Sequence, residues 1–128
     1  MSDEPNGGDW TRIRYDEPAD RVARITLARA ETANAQDYVM LTELNQAFDR
    51  AANDQNVRVI VLAADGKHFS SGHDLRQLDP DMQALPTIGT QCHFDAPGAE
   101  GYMAREAEMY VGLCWRWRNI AKPTIASV

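Results

Sequence analysis

The sequence has 128 residues, enough for one compact domain. Its composition, 44% hydrophobic and 25% charged residues, is typical of a globular protein and excludes a disordered, collagen-like or disulfide-scaffold protein. The formal net charge of −6 has the wrong sign for a protein that neutralises nucleic-acid phosphates. The longest apolar run, residues 59–64, is too short to span a membrane, so we expect neither a nucleic-acid partner nor a membrane.

The N-terminus predicts a tail and not a targeting signal. Residues 1–9 have neither a cationic start nor an apolar stretch, so we expect a flexible tail and one domain over residues 10–128. Cys92 and Cys114 are far apart and lack the spacing of a metal site. Free thiols of this kind suit a reducing compartment, which favours a cytoplasmic protein.

The first half of the chain predicts a hairpin followed by a helix. Residues 10–15 and 21–28 alternate as strands do, and the Asp-Glu-Pro segment at 16–20 is typical of the turn between them. From Asp37 the apolar residues recur every three or four positions. This period predicts a helix over 37–52 with Asp37 as its N-cap.

The second half predicts a strand, a loop, a helix and a last strand. Residues 57–62 are β-branched and mostly apolar, which indicates a central strand buried on both faces. Residues 80–101 show no sustained period and predict a mobile loop with a short helical piece. Residues 124–128 predict a strand that completes a parallel strand–helix–strand unit. The helix over 100–121 has a predicted apolar stripe of Met103, Ala107, Tyr110, Val111, Cys114, Trp117 and Ile120.

The segment 66–75, GKHFSSGHDL, carries the chemistry because it follows the carboxyl end of the buried strand. Gly72 permits a tight turn, and Asp74 can cap a helix that starts at Leu75. Backbone N–H groups at such a turn can bind an oxygen that becomes anionic, so the segment is a candidate half of an oxyanion hole. A plain strand-to-helix turn with a capping aspartate accounts for the same spacing and stays open.

The motifs also resemble a known family. GKHFSSGHDL, preceded by VRVIVLAA and followed by KPTIASV, resembles the enoyl-CoA hydratase/isomerase (crotonase) superfamily. RITLARAETANAQ resembles a further family segment and keeps Arg29, Asn34 and Ala35. The resemblance runs from Ile13 to Val128, is weakest at 80–101, and is similar in particular to the enoyl-CoA hydratase domain-containing proteins. It implies an α/β, crotonase-like (ClpP/crotonase) fold of repeated ββα units, truncated after the N-terminal portion of the core.

The resemblance implies roles for individual residues. In the family, the N–H of the residue after the motif glycine is one of two donors to the thioester carbonyl of an acyl-CoA, and here that residue is His73. Gly72 sets the geometry of the turn, so these two residues are the implied catalytic positions. The implied CoA-binding and substrate-binding positions are Ala33, Asn34, Ala35, Ser70, Ser71, Asp74 and Leu75.

The sequence also departs from the family pattern. Ala33 stands where many members carry a Lys or Arg that meets the CoA phosphates, and whether Arg29 compensates is left open by the sequence. Ala30 and Gln36 replace the usual proline and leucine. The family's second oxyanion donor and its catalytic carboxylates come after the strand that TIASV begins, and the sequence contains neither.

The function implied by the resemblance is addition of water to, or migration of, a double bond conjugated to a CoA thioester. It implies no metal and no dissociable cofactor beyond the CoA of the substrate, and a trimeric or hexameric assembly. With half an oxyanion hole and no acid or base, we expect the 128-residue chain alone to be inactive or nearly so. The alternative is a non-catalytic acyl-CoA-binding or interaction module, or an inactive truncated remnant.

A metal site, a serine nucleophile and a partner surface are weaker interpretations of the sequence. The three histidines, His68, His73 and His93, have no zinc-type spacing with the cysteines. A serine nucleophile at Ser70 or Ser71 would lack an acid to orient a histidine. The Trp115–Arg118 segment could mark a partner surface, although packing of one amphipathic helix explains it as well.

Overall fold

The computed structural model describes residues 9–76 and 96–128 and shows a mixed α/β chain. Its first compact unit contains the described residues up to Leu75 together with Ile120–Val128, and the second lies within Arg76–Asn119. No helix in the described ranges is long and apolar enough to cross a membrane. The elements in chain order are β1 (Ile13–Ala19), β2 (Val22–Leu27), a 3-10 turn (Ala30–Thr32), α1 (Tyr38–Asn53), β3 (Val59–Ala64), α2 (Gly98–Glu106), a π-helical turn (Ala107–Gly112), α3 (Leu113–Arg118) and β4 (Thr124–Ala126).

The four strands form one sheet in the order β1-β2-β3-β4. β1 and β2 are antiparallel, with Ile13 opposite Leu27, which confirms the predicted hairpin. β3 pairs in parallel with both β2 and β4, which confirms the predicted parallel strand–helix–strand unit. The carboxyl ends of β2 and β3 therefore lie side by side, and the segments that follow them, 28–37 and 65–74, leave the sheet at the same edge.

The predicted turn at 16–20 is wrong. β1 continues to Ala19, and the chain reverses at Asp20 and Arg21, where Arg21 has a φ of 63°. The register shifts between Asp16 and Ala19, as in a β-bulge. Because β1 is an edge strand, Pro18 can sit in it without removing a hydrogen bond from the interior of the sheet.

Helix α1 packs on the hairpin and closes the core of the first unit. It begins at Tyr38 and ends at Asn53, one residue from the predicted bounds. The Asp37 side chain accepts a hydrogen bond of 2.8 Å from the Met40 N–H, which confirms the predicted N-cap. The core includes the buried side chains Ile13, Tyr15, Ala23, Ile25, Leu27 and Ile60 of the sheet and Met40, Leu41, Leu44, Ala47, Phe48 and Ala51 of the helix.

The central strand differs from its prediction in bounds and burial. β3 covers Val59–Ala64, so it begins and ends two residues later than the predicted strand at 57–62. Ile60 is fully buried, but the other residues of β3 are half-buried. Ala63 and Ala64, at the end of β3, line an open cleft of about 500 Å³ together with Arg14, Arg24 and Asp65. Arg14 donates to both carboxylate oxygens of Asp65 in this cleft and lowers the pKa of that carboxyl.

The helical segment near the C-terminus contradicts the predicted apolar stripe. It runs from Gly98 to Arg118 and contains a π-helical turn at Ala107–Gly112, so residues after the turn are rotated relative to a regular helix. Met103 and Val111 of the predicted stripe are both 69% exposed. The buried positions are Gly101, Ala104, Glu108, Met109 and Leu113. Most of the predicted loop at 80–101 lies outside the described residues, and its last part is the start of α2.

Tyr15 is a core residue whose hydroxyl is buried without a hydrogen-bond partner in the described part of the chain. Burial raises the pKa of this phenol, so above about pH 10 the unfolded chain ionises first and the fold loses stability. We expect Tyr15→Phe to raise the free energy of unfolding by about 1 kcal/mol at pH 7. The variant should also lose less stability than the parent between about pH 9 and 11.

Urea denaturation at several pH values measures both effects. Tyr102→Phe is the matched control, because Tyr102 is 53% exposed and its hydroxyl can reach water. We expect that variant to match the parent at every pH. A destabilised Tyr15→Phe chain would show that the buried hydroxyl is hydrogen-bonded after all.

Candidate functional site

Two segments meet at the carboxyl edge of the sheet and form the candidate site. Gln36 donates its N–H to the carbonyl of Gly72 at 2.7 Å, and its own carbonyl accepts from the Asp74 N–H at 2.9 Å. A third backbone hydrogen bond joins the same two segments: the Ser71 N–H donates to the carbonyl of Ala33 at 2.9 Å. The structure thus brings together the loop 33–36 and the turn 71–74, which contain most of the residues that the sequence singled out.

The geometry of this pairing orients the peptide groups of His73. Gln36 and His73 form an isolated parallel bridge in which Gln36 uses the peptide groups of the residues on either side of His73. In a parallel pair the N–H and C=O of the bridged residue point to the opposite side. The His73 N–H therefore points away from loop 33–36, and His73 is half-buried.

Gly72 allows this orientation through its backbone conformation. Its φ is 93°, a region that side-chain-bearing residues seldom adopt. A Cβ at this position would meet no atom within 4 Å. Backbone strain, and not lack of space, is therefore the reason for a glycine here.

Asn34 is fully buried and holds the loop from inside. Its side-chain oxygen accepts from the Arg29 N–H at 2.8 Å. Its amide nitrogen donates to the carbonyls of Asp65 and His68 at 2.8 and 2.9 Å. The polar atoms of this predicted CoA-binding residue thus face the protein, and Asn34 acts on the site by fixing the backbone around it.

Ser70 also stabilises the turn through hydrogen bonds to the backbone. Its hydroxyl donates to the carbonyl of Asn34 at 2.8 Å and accepts from the Gly72 N–H at 3.0 Å. The Gln36 side chain lies within hydrogen-bond distance of the same oxygen, at 3.2 Å. The Ser70 side chain is therefore engaged within the protein.

The remaining predicted binding residues differ in exposure. Ser71 and Leu75 are exposed, Leu75 by 85%, and Ala33 is half-buried. Ala35 and Asp74 are buried. The positions of this set that can touch a ligand with their side chains are therefore Ala33, Ser71 and Leu75.

Sequence reasoning missed a chain of charged groups beneath the site. The Arg29 guanidinium lies 3.3 Å from the Asp74 carboxylate and 3.4 Å from the Asp37 carboxylate. Arg12 binds the same Asp37 oxygen at 3.2 Å. The helix that Asp74 was predicted to cap would continue beyond residue 76, outside the described residues, so the cap stays a prediction. The structure shows Asp74 paired with Arg29. No local signal reveals this pair, because 45 positions separate its members.

The structure describes some of the residues on which the other chemistries depend. Within residues 9–76 and 96–128, no three His, Cys, Asp or Glu residues are placed to hold a metal ion. Cys114 is a free, exposed thiol, while Cys92 and His93 lie outside the described residues. Trp115 is 64% exposed with the Arg118 guanidinium 5.6 Å from its ring centre.

Comparison with known proteins gives a consistent result. The sequence model of the family described as enoyl-CoA hydratase/isomerase matches residues 17–96. The chain is 40% identical over 126 residues to EchA13 of Mycobacterium tuberculosis, covering 94% of this chain and 40% of that protein. It is 39% identical over 122 residues to the enoyl-CoA hydratase ACTT3 of Alternaria alternata, covering 93% of this chain and 35% of that protein.

Solved structures agree with the sequence relatives. The crystal structure of a probable enoyl-CoA hydratase from Mycobacterium thermoresistibile is 44% identical with a TM-score of 0.73, over 91% of this chain and 40% of that one. A second, from Mycobacterium smegmatis, is 42% identical with a TM-score of 0.72, over 92% of this chain and 41% of that one. The likeness confirms the crotonase-like fold class, and the chain spans about two fifths of the length of these relatives.

Proposed function

Because the chain belongs to the enoyl-CoA hydratase/isomerase family, we propose that its Gly72–His73 turn binds the thioester carbonyl of an acyl-CoA. The observation that carries the proposal is the Gln36–His73 bridge, which turns the His73 N–H away from the loop. The reaction class is hydration or isomerisation of a double bond conjugated to the thioester. His73 supplies a backbone donor to that reaction, and Gly72 supplies the conformation that aims it.

The physical role of the His73 N–H follows from where charge develops. When water adds next to a thioester, or when a proton leaves there, negative charge builds on the carbonyl oxygen. A fixed N–H at that oxygen binds the transition state more tightly than the ground state, and removal of such a donor costs about 3 kcal/mol in the barrier. The donor works because the folded turn has already oriented it.

We propose further that the 128-residue chain binds the thioester without catalysing its hydration or isomerisation. The resemblance assigns a second donor and the acid and base groups to positions that this sequence does not contain. A single donor supplies only part of the needed stabilisation of the transition state. Hydration of crotonyl-CoA by the purified chain, lost on replacement of Gly72, would contradict this part of the proposal.

Isothermal titration with three ligands tests the binding site. Crotonyl-CoA carries the carbonyl, S-butyl-CoA has a methylene group in its place on a saturated chain of the same length, and free CoA lacks the acyl chain. We expect saturable binding of crotonyl-CoA that is about tenfold tighter than that of S-butyl-CoA, the worth of one hydrogen bond. Equal affinities would mean that the turn does not bind the carbonyl. If none of the three ligands binds, the proposed binding site is wrong for the 128-residue chain.

Gly72→Ala gives the matching variant test. Strain at a φ of 93° is expected to move the His73 N–H, so crotonyl-CoA affinity should fall to near that of S-butyl-CoA. Gly98→Ala is the control, since Gly98 also has a positive φ of 70° and open space but lies at the start of α2. Titration should show the ligand preference of the control unchanged, and equal loss in both variants would refute a local effect.

A further inference from the structure

Arg29 lies beneath the turn with its side chain only 13% exposed and its charge between two acids. Its Nη1 donates to the carbonyl of Ala35 at 2.8 Å. The same nitrogen lies 3.3 Å from Asp74 and 3.4 Å from Asp37, whose side chains are 8% and 10% exposed. One guanidinium therefore contacts three acceptors from different parts of the site.

Two of these acceptors belong to the two sides of the bridge that orients His73. Ala35 immediately precedes Gln36, and Asp74 immediately follows His73. A shift of the Ala35 carbonyl or of the Asp74 side chain would change the distance between the loop and the turn. Arg29 therefore connects the two segments that form the bridge, since it contacts Ala35 in the loop and Asp74 in the turn.

The third acceptor connects the site to a rigid element. Asp37 caps α1 by accepting from the Met40 N–H, and Arg12 holds its other oxygen. A helix end fixed by packing moves less than a loop. Because Arg29 also pairs with Asp37, it fixes the position of the turn relative to the first residues of helix α1.

Arg29 also removes a negative charge from beside the proposed donor. Asp74 is buried next to His73, and an unbalanced carboxylate there would oppose charge on a bound carbonyl oxygen. The guanidinium is engaged with buried acceptors, so it does not replace the phosphate-binding cation that Ala33 lacks. This answers the question that the sequence left open.

We propose that Arg29 is a positioning residue, which sets the direction of the His73 N–H through Ala35 and Asp74 and neutralises Asp74. The proposal rests on the proposed function, because it concerns the same donor. It differs from a purely structural role in what it predicts. Loss of Arg29 should reduce the preference for a carbonyl ligand and not only the stability of the chain.

The test compares crotonyl-CoA with S-butyl-CoA in titrations of the 128-residue parent, Arg29→Met and Arg29→Lys. The ratio of the two affinities is independent of the folded fraction, because both ligands bind the same folded molecules. We expect a parent ratio of about ten, a ratio of about two or less for Arg29→Met, and an intermediate ratio for Arg29→Lys, which keeps the charge but not the planar fork. If Arg29→Met does not fold, Arg29→Lys decides.

Arg24→Met is the matched control. Arg24 is likewise an arginine paired with an aspartate, since it donates two hydrogen bonds to Asp16, but it lies on the open face of the sheet. This variant should keep the parent ratio. A folded Arg29→Met or Arg29→Lys chain with the full parent ratio would overturn the inference while leaving the proposed function standing. A parent without a carbonyl preference would remove both.

Discussion

Replacing Asn34 with alanine is expected to lower the free energy of unfolding by about 3 to 4 kcal/mol, the largest loss among single side chains of the site. The side chain is fully buried and makes three hydrogen bonds to the backbone of Arg29, Asp65 and His68. Removing it breaks these three part-buried hydrogen bonds, at about 1 kcal/mol each. The backbone adds to the cost, since φ of 53° at Asn34 suits asparagine better than alanine.

Urea denaturation followed by circular dichroism measures this loss. Asn53→Ala is the matched control, because the Asn53 amide also donates to a backbone carbonyl, that of Asp49, but at an exposed position. We expect the control to change stability by about 0.5 kcal/mol or less. If the two variants lose the same stability, the Asn34 network does not hold the loop in solution.

Replacing Glu43 with alanine should cost about 3 kcal/mol and loosen the start of β1. Glu43 lies on α1, is buried, and accepts from the Thr11 and Arg12 N–H groups, both at 2.8 Å. Hydrogen bonds to a charged group are the stronger kind, and β1 is an edge strand with a partner on one side only. Without the carboxylate, residues before Ile13 lose their main attachment to the helix.

Denaturation and amide hydrogen exchange together test this account. The control is Gln46→Ala, since Gln46 also connects α1 to the N-terminal segment, by accepting from the Trp10 indole N–H at 2.9 Å, but is exposed. We expect faster exchange at Thr11 and Arg12 in Glu43→Ala and near-parent behaviour in the control. Unchanged exchange at these two amides in Glu43→Ala would contradict the proposed attachment.

Local pattern was sufficient for much of the fold. The period of apolar residues in α1 and the cap at Asp37 lie within a few positions of each other, so both could be predicted. The π-helical turn at Ala107–Gly112 could not, because a prediction from helical period assumes a constant rotation per residue. The stripe that followed from that assumption placed Val111, within the turn, inside, where the structure exposes it. Met103 lies before the turn, and its exposure shows that the predicted stripe was also on the wrong face of α2, whose buried residues are Gly101 and Ala104.

The candidate site shows the same division. The turn at Gly72 follows from a glycine at a strand end, which is a local signal. The roles of Asn34 and Arg29 also depend on partners 31 to 45 positions away, Asp65 and His68 for Asn34 and Asp74 for Arg29, and no local spacing indicates these. Only the sheet, by placing the ends of β2 and β3 side by side, brings these residues to the turn.

The most direct test of the central claim is the amide NMR signal of His73 in the 128-residue chain during titration with crotonyl-CoA and, separately, with S-butyl-CoA. A new hydrogen bond to a carbonyl oxygen moves an amide proton downfield. We predict a saturable downfield shift of the His73 amide with crotonyl-CoA and a much smaller one with S-butyl-CoA. Binding of crotonyl-CoA that leaves the His73 amide unmoved would contradict the assignment of His73 as the carbonyl donor.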